Sequence, residues 1–110
     1  MKKFIVLYHA PASWEKAKDA SPKDMKKGME EWMKWAKKCG KGLVDFGSPL
    51  GNAHKMSKNS HGLSKSSVIG YSILQADSWD EVKKMIKEHP HLKWAAGCEI
   101  EVHESMPPPS

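Results

Sequence analysis

The sequence predicts an α+β domain of order β-α-β-β-α-β, built on a four-stranded antiparallel sheet. Three observations predict it. Phe4-Ile5-Val6-Leu7-Tyr8 and the run 68–76 are apolar on both faces, as strands covered on both sides are. The runs 42–47 and 98–103 alternate, partly in the first and strictly in the second, as half-exposed edge strands do. Between these pairs fall two stripes of apolar residues at helical spacing.

The chain has 110 residues, the size of one domain, read as residues 1–105 with a proline-rich tail over 106–110. The opening MKKFIVLYHAP is read as a first strand and not as a signal peptide. Its apolar run is brief, and no small-residue cleavage site follows. Residues 12–20 carry Trp14 without clean periodicity and read as a loop or short helical turn.

Ser21-Pro22-Lys23-Asp24 starts the first helix. Ser21 can cap, Pro22 suits the first helical position, and Asp24 favours the positive end of the dipole. Met25, Met29, Trp32, Met33, Ala36 and Cys39 form its stripe, Trp35 widens it, and Gly40 ends it. The edge strand at 42–47 is broken by Ser48-Pro49-Leu50-Gly51-Asn52, and the polar run 53–66 reads as a mobile hairpin or flap. After the second doubly apolar strand, Ser78 with Glu81 three residues on forms a capping box. Trp79, Val82, Met85 and Ile86 are the buried stripe of that helix, and Pro90 stops it.

This order is the split βαβ arrangement of ferredoxin-like folds, in which the last, first, third and second strands lie side by side. The two central strands are then the two that are apolar front and back. Two helices cover only one face of such a sheet. The other face exposes apolar side chains, and a second copy of the same sheet is the simplest cover, so a homodimer is expected.

Composition excludes several classes. No apolar run approaches the roughly 18 residues that a membrane span needs, and a cytoplasmic protein is expected. Cys39 and Cys98 lack metal-ligand spacing and read as buried thiols. The net charge of +5 is carried by lysine alone, and the lysines scatter along helix surfaces. Nucleic-acid readers favour arginine for its fork of donors, so no nucleic-acid partner is expected. No glycine-rich phosphate loop is present. No metal site or cofactor is expected, because His54 and His61 lie scattered in the polar run with no acid at ligand spacing.

Four segments in order, FIVLYHAP, CGKGLVDFGSPLG, VIGYSILQADSWDEVKKMI and HPHLKWAAGCEIEV, resemble the YCII-related family, including its DGPF-type members, over nearly the whole chain. The resemblance implies a ferredoxin-like dimeric α/β barrel. Most members of that family have no established activity, and a few relatives act in chlorinated-aromatic breakdown. A His-Asp pair has been proposed as catalytic in some members. Its histidine would fall near Met29 or Glu30, neither of which is histidine, so the pair does not carry over. Many members place an acid before the proline where this chain has His89.

The residues that remain are candidates for acid/base work. Histidine titrates near neutral pH, so His9 at the end of the first strand and His89 at a helix end are the candidate proton carriers. The alternative for His89 is a structural bond to the helix's last carbonyls. Glu99, Glu101 and His103 share one face of the last strand, with Glu99 the first candidate for binding. Asp45, a mid-strand acid, and Tyr71, a donor in the third strand, complete the binding set. The expected function is binding of a small organic molecule in an inter-subunit cleft, with isomerase- or lyase-type proton transfer. The alternative is a non-catalytic ligand-binding or regulatory partner module.

Overall fold

A computed structural model describes residues 1–11, 22–94 and 96–108. The expected loop at 12–20 and the cap at Ser21 lie outside the described residues. In chain order the elements are β1 (Lys2–His9), α1 (Pro22–Cys39), β2 (Leu43–Asp45), β3 (His54–Ser57), β4 (Ser60–Leu63), β5 (Val68–Ala76), α2 (Trp79–Lys87), the single helical turn α3 (His91–Trp94) and β6 (Glu99–Glu104). Four strands form one antiparallel sheet in the order β2-β5-β1-β6. That is the expected order, with the two doubly apolar strands in the middle.

Strand parity divides the sheet into two unlike faces. On one, Phe4, Val6 and Tyr8 of β1 stand opposite Leu74, Ser72 and Gly70 of β5, and opposite Glu104, Val102 and Ile100 of β6. Phe4, Val6, Tyr8, Leu74, Ala76, Trp35 and Val82 form the buried core there. Each such large side chain contributes roughly 1.5–3 kcal/mol on burial, so this face holds the domain together.

The helices dock on that face through a few large groups. Trp32, Ala36 and Cys39 of α1 pack against the core beside Trp35. Met29 and Met33, expected in the same buried stripe, are each 56% exposed. At 3.6 residues per turn they fall about 70° and 110° from the centre of the face set by Trp32, Trp35, Ala36 and Cys39, so the tryptophans turn them outward. The Trp35 Nε1–H donates to the Met85 carbonyl at 2.8 Å and ties α1 to α2.

Helix α2 begins as its sequence says. Ser78 Oγ accepts the Glu81 N–H at 3.3 Å, and the Glu81 carboxylate accepts the Asp77 N–H at 3.0 Å. Val82 is buried and Met85 and Ile86 are partly so, whereas Trp79 stays 40% exposed with its ring edge-on to Phe4.

The polar run is a hairpin. β3 and β4 pair antiparallel around Lys58-Asn59, and all eight strand residues are exposed. At the end of β2 the chain turns through Gly47 at φ +82°. A Cβ there would lie 1.7 Å from the Tyr71 carbonyl oxygen, so only glycine fits. Among the described residues no helix is long and apolar enough to cross a membrane.

Candidate functional site on the uncovered sheet face

Among the described residues no helix lies on the second face of the sheet. Its floor is apolar: Ile5 stands opposite Ile73, and Leu7 opposite Tyr71. Ile5 is 38% exposed although it sits on a central strand. Beyond Leu7 the polar groups begin, because the same parity brings His9 of β1 and Glu99, Glu101 and His103 of β6 to this face.

Three of these side chains form one constellation. His9 Nε2 lies 2.8 Å from Glu101 Oε1, and His103 Nε2 lies 2.7 Å from Glu101 Oε2. A carboxylate only accepts, so both imidazoles present Nε2–H to it. That fixes the tautomers of the neutral rings and leaves Nδ1 of each as the proton acceptor. On His9 that nitrogen faces the Ser67 hydroxyl at 2.6 Å, which donates to it. The two hydrogen bonds, from His103 first and His9 second, hold the Glu101 carboxyl below the ordinary carboxylate range. A base with a carboxylate behind it, at the edge of an apolar floor, is an arrangement that can move a proton on a bound molecule.

The carboxylate hydrogen-bonded to His9 is that of Glu101 and not that of Glu99. Glu99 is the direct register partner of His9, and Glu101 that of Leu7. The side-chain contact runs diagonally, from His9 to the residue two further along β6, as long side chains on an antiparallel pair can reach. Ser67 carries no signal in the sequence, since it is one of several serines before β5.

Of the other candidates, Asp45 and His89 lie away from this constellation. Asp45 is exposed, and its Oδ1 accepts the Gly47 N–H at 2.8 Å, which secures the turn after β2. Tyr71 belongs to the apolar floor opposite Leu7. His89 is on the helix-covered side of the sheet, fully buried among Trp32, Trp35 and Tyr8. The fold does not bring His89 and His9 together.

His89 instead belongs to a chain of hydrogen bonds with a single sense. The His91 N–H donates to His89 Nδ1 at 3.0 Å. The proton of His89 is therefore on Nε2, which donates to Tyr8 Oη at 3.0 Å. Tyr8 O–H then donates to Ser72 Oγ at 2.8 Å, and Ser72 O–H to the Phe46 carbonyl at 2.7 Å. Burial pushes the His89 imidazole down to about 3, with His91 adding to the effect, and raises the Tyr8 phenol. Burial also lowers His91, against the raising effect of its bonds to the backbone at His9 and Glu99; its Nε2–H donates to the His9 carbonyl at 2.8 Å. Burial thus favours the neutral form of both imidazoles. The expected bond of His89 to the last carbonyls of α2 is replaced by bonds to the His91 N–H and the Tyr8 phenol.

A concavity of about 450 Å³ lies between the ends of α1 and α2, lined by Trp35, Lys38, Cys39, Lys84, Met85 and Glu88. It is on the helix side, away from His9 and Glu101, and its thiol, Cys39, is pushed up to about 11 by burial. On the exposed hairpin, His54 and His61 stand side by side. Among the described residues no group of three or more histidine, cysteine or acidic side chains is placed to hold a metal ion.

Comparison with solved structures finds a similar fold. The chain shares its fold with a dehydrochlorinase. That protein is the 5-chloro-2-hydroxyhydroquinone dehydrochlorinase from Burkholderia phenoliruptrix AC1100, in complex with 2,5-dihydroxybenzoquinone. The likeness covers 92% of this chain and 91% of that one, at 19% identity and a TM-score of 0.52. At that identity the likeness speaks to fold alone. No family model and no curated protein matches the chain.

Proposed function

We propose that this protein binds a small organic molecule on the uncovered sheet face and moves a proton on it, with His9 as base and Glu101 as the carboxylate that orients His9. One observation carries the reading: Glu101 receives a hydrogen bond from each of two imidazoles, His9 and His103, at the border of the apolar floor made by Ile5, Leu7, Tyr71 and Ile73. An apolar floor takes the body of a ligand, and a few convergent polar groups fix its orientation. A second copy of the chain covers the face and turns it into a cleft, because water is a poor neighbour for an apolar floor on two central strands.

The reaction class that suits one oriented base is elimination or isomerisation. The base takes a proton from carbon or oxygen while a leaving group departs or a double bond shifts. The solved neighbour is a dehydrochlorinase with a dihydroxylated quinone bound, which makes hydroxylated aromatic rings the first compounds to try. Binding of 2,5-dihydroxybenzoquinone is measured by titration calorimetry for the wild type, His9→Ala and Glu101→Gln, with chloride release from 5-chloro-2-hydroxyhydroquinone followed in parallel. The proposal expects saturable binding that both substitutions weaken at least about tenfold, or about 1.4 kcal/mol, while circular dichroism is unchanged. Equal binding by all three proteins removes the site. Binding without turnover of any hydroxylated ring favours the second reading, a ligand-binding or regulatory module, in which the same groups only hold the molecule.

A further inference from the structure

The hairpin β3–β4 contains the one histidine pair that neither the core nor the sheet face uses. His54 Nδ1 and His61 Nε2 are 3.1 Å apart, and the two rings lie nearly parallel, with centroids 5.2 Å apart and planes at 18°. In the sequence the two residues are separated by seven positions. The hairpin register brings them to one face: His54 is opposite Leu63, and His61 is opposite Met56. The two imidazoles thus occupy diagonal positions on neighbouring strands.

We infer that this pair is a chelating site for a divalent first-row transition metal ion, taking copper(II) before nickel(II) or zinc(II). The spacing supports it. Imidazole nitrogens bind such ions at roughly 2.0–2.1 Å, so nitrogens this far apart would meet one ion at an angle of about 100°, between the values of about 90° and 109° for square-planar and tetrahedral sites. No rotation of the strands is needed. The proton between them must leave, carried on the donor ring's other nitrogen, and the two rings, which face each other across a hydrogen bond, must turn so that both lone pairs meet the ion.

The donor set selects the ion. The hairpin strands HKMS and SHGL contain no carboxylate, so calcium and magnesium, which take oxygen ligands, are not accommodated. Imidazole suits copper, nickel and zinc, and the affinity order of divalent ions peaks at copper. Met56, the register partner of His61, shares the face. Lys55 projects to the other face, opposite Gly62, and does not enter the pair.

The location supports it too. All eight strand residues of the hairpin are exposed, so the imidazoles are not there to fill a core. His89 and His91, by contrast, are fully buried and held by their neighbours. A two-stranded hairpin is marginal by itself in water. An ion held by one residue from each strand ties the strands together and stabilises the hairpin by mass action.

The test titrates the full-length protein at pH 7.4 with copper(II), nickel(II), zinc(II) and magnesium(II) by calorimetry, and follows amide resonances for paramagnetic broadening by copper(II). The wild type is expected to take one equivalent of copper(II) most tightly and no magnesium. Broadening should be centred on residues 54–63. His54→Ala and His61→Ala should each lower copper affinity at least about tenfold, while His9→Ala leaves it unchanged. The inference is overturned if the His54→Ala, His61→Ala double variant binds copper(II) as the wild type does. It is equally overturned if His9→Ala removes the site, or if broadening centres on β1 and β6. Because the hairpin lies outside the core, these variants keep the fold, and an unchanged circular dichroism spectrum verifies it.

Discussion

Acid should weaken this fold well above the pH at which carboxylates titrate, and His89 is the reason. In the folded chain its imidazole is buried against Trp32, Trp35 and Tyr8 and is pushed down to about 3. In the unfolded chain a histidine titrates near 6.5. Between those values the unfolded state binds a proton that the folded state refuses, so stability rises with pH across the window. The contribution is fully present above about pH 6.5 and falls by about 1.4 kcal/mol for each pH unit below it. From pH 6.5 to pH 5.0 the loss through His89 is about 2 kcal/mol, a large part of the 5–15 kcal/mol typical of a domain. His91, also lowered by burial, acts in the same direction. The lowered carboxyls of Glu88 and Glu101 lose their contribution only as the pH falls below about 4.5, outside this range. The assay is urea unfolding at pH 8.0, 6.5 and 5.0, followed by tryptophan fluorescence, for the wild type and His89→Gln. Glutamine can keep a donor near Tyr8 but takes up no proton. The variant should be less stable at pH 8.0 and should lose about 2 kcal/mol less than the wild type between pH 6.5 and 5.0. Parallel stability curves for the two proteins would refute the argument.

Other consequences can be checked as directly. Gly47→Ala should cost more than about 2 kcal/mol, from left-handed backbone strain together with the clash of its Cβ on the Tyr71 carbonyl, and a melting temperature equal to the wild type's would count against it. Tyr8→Phe leaves the His89 Nε2–H without its acceptor and should cost about 1–3 kcal/mol in urea unfolding, with no change in the ring packing beside Trp32. Ser78→Ala removes the cap of α2 and should cost about 1 kcal/mol. Ile73→Asp puts a charge on the uncovered floor. It should shift the light-scattering mass from two chains to one at micromolar concentration, and an unchanged mass would speak against a second copy on that face.

How far the sequence reaches depends on the range of the information. Strand order was legible because burial on two faces leaves a mark within five residues, as in Phe4 to Tyr8, and the topology then has few choices. Ser78 and Glu81 were legible as a cap because the contact spans three residues. The site was legible only as a face. Alternation placed Glu99, Glu101 and His103 together, but which acid meets His9 depends on the register of β1 against β6 and on a diagonal reach that no local pattern records. His89 shows the same limit. Next to Pro90 it reads as a helix end at a rim, and its burial comes from Tyr8, 81 residues away. Ser67 illustrates the extreme case, since a hydroxyl 58 positions from His9 is one serine among many until the chain is folded.

The run of hydrogen bonds from His91 through His89, Tyr8 and Ser72 to the Phe46 carbonyl has one direction throughout. Each member gives to the next, so none can be turned round without leaving two givers, or two takers, facing each other. Such a column behaves as one heritable unit. A change at Tyr8, His89 or Ser72 leaves its neighbour in the column with an unmet donor or acceptor, so its cost extends past the residue that changes.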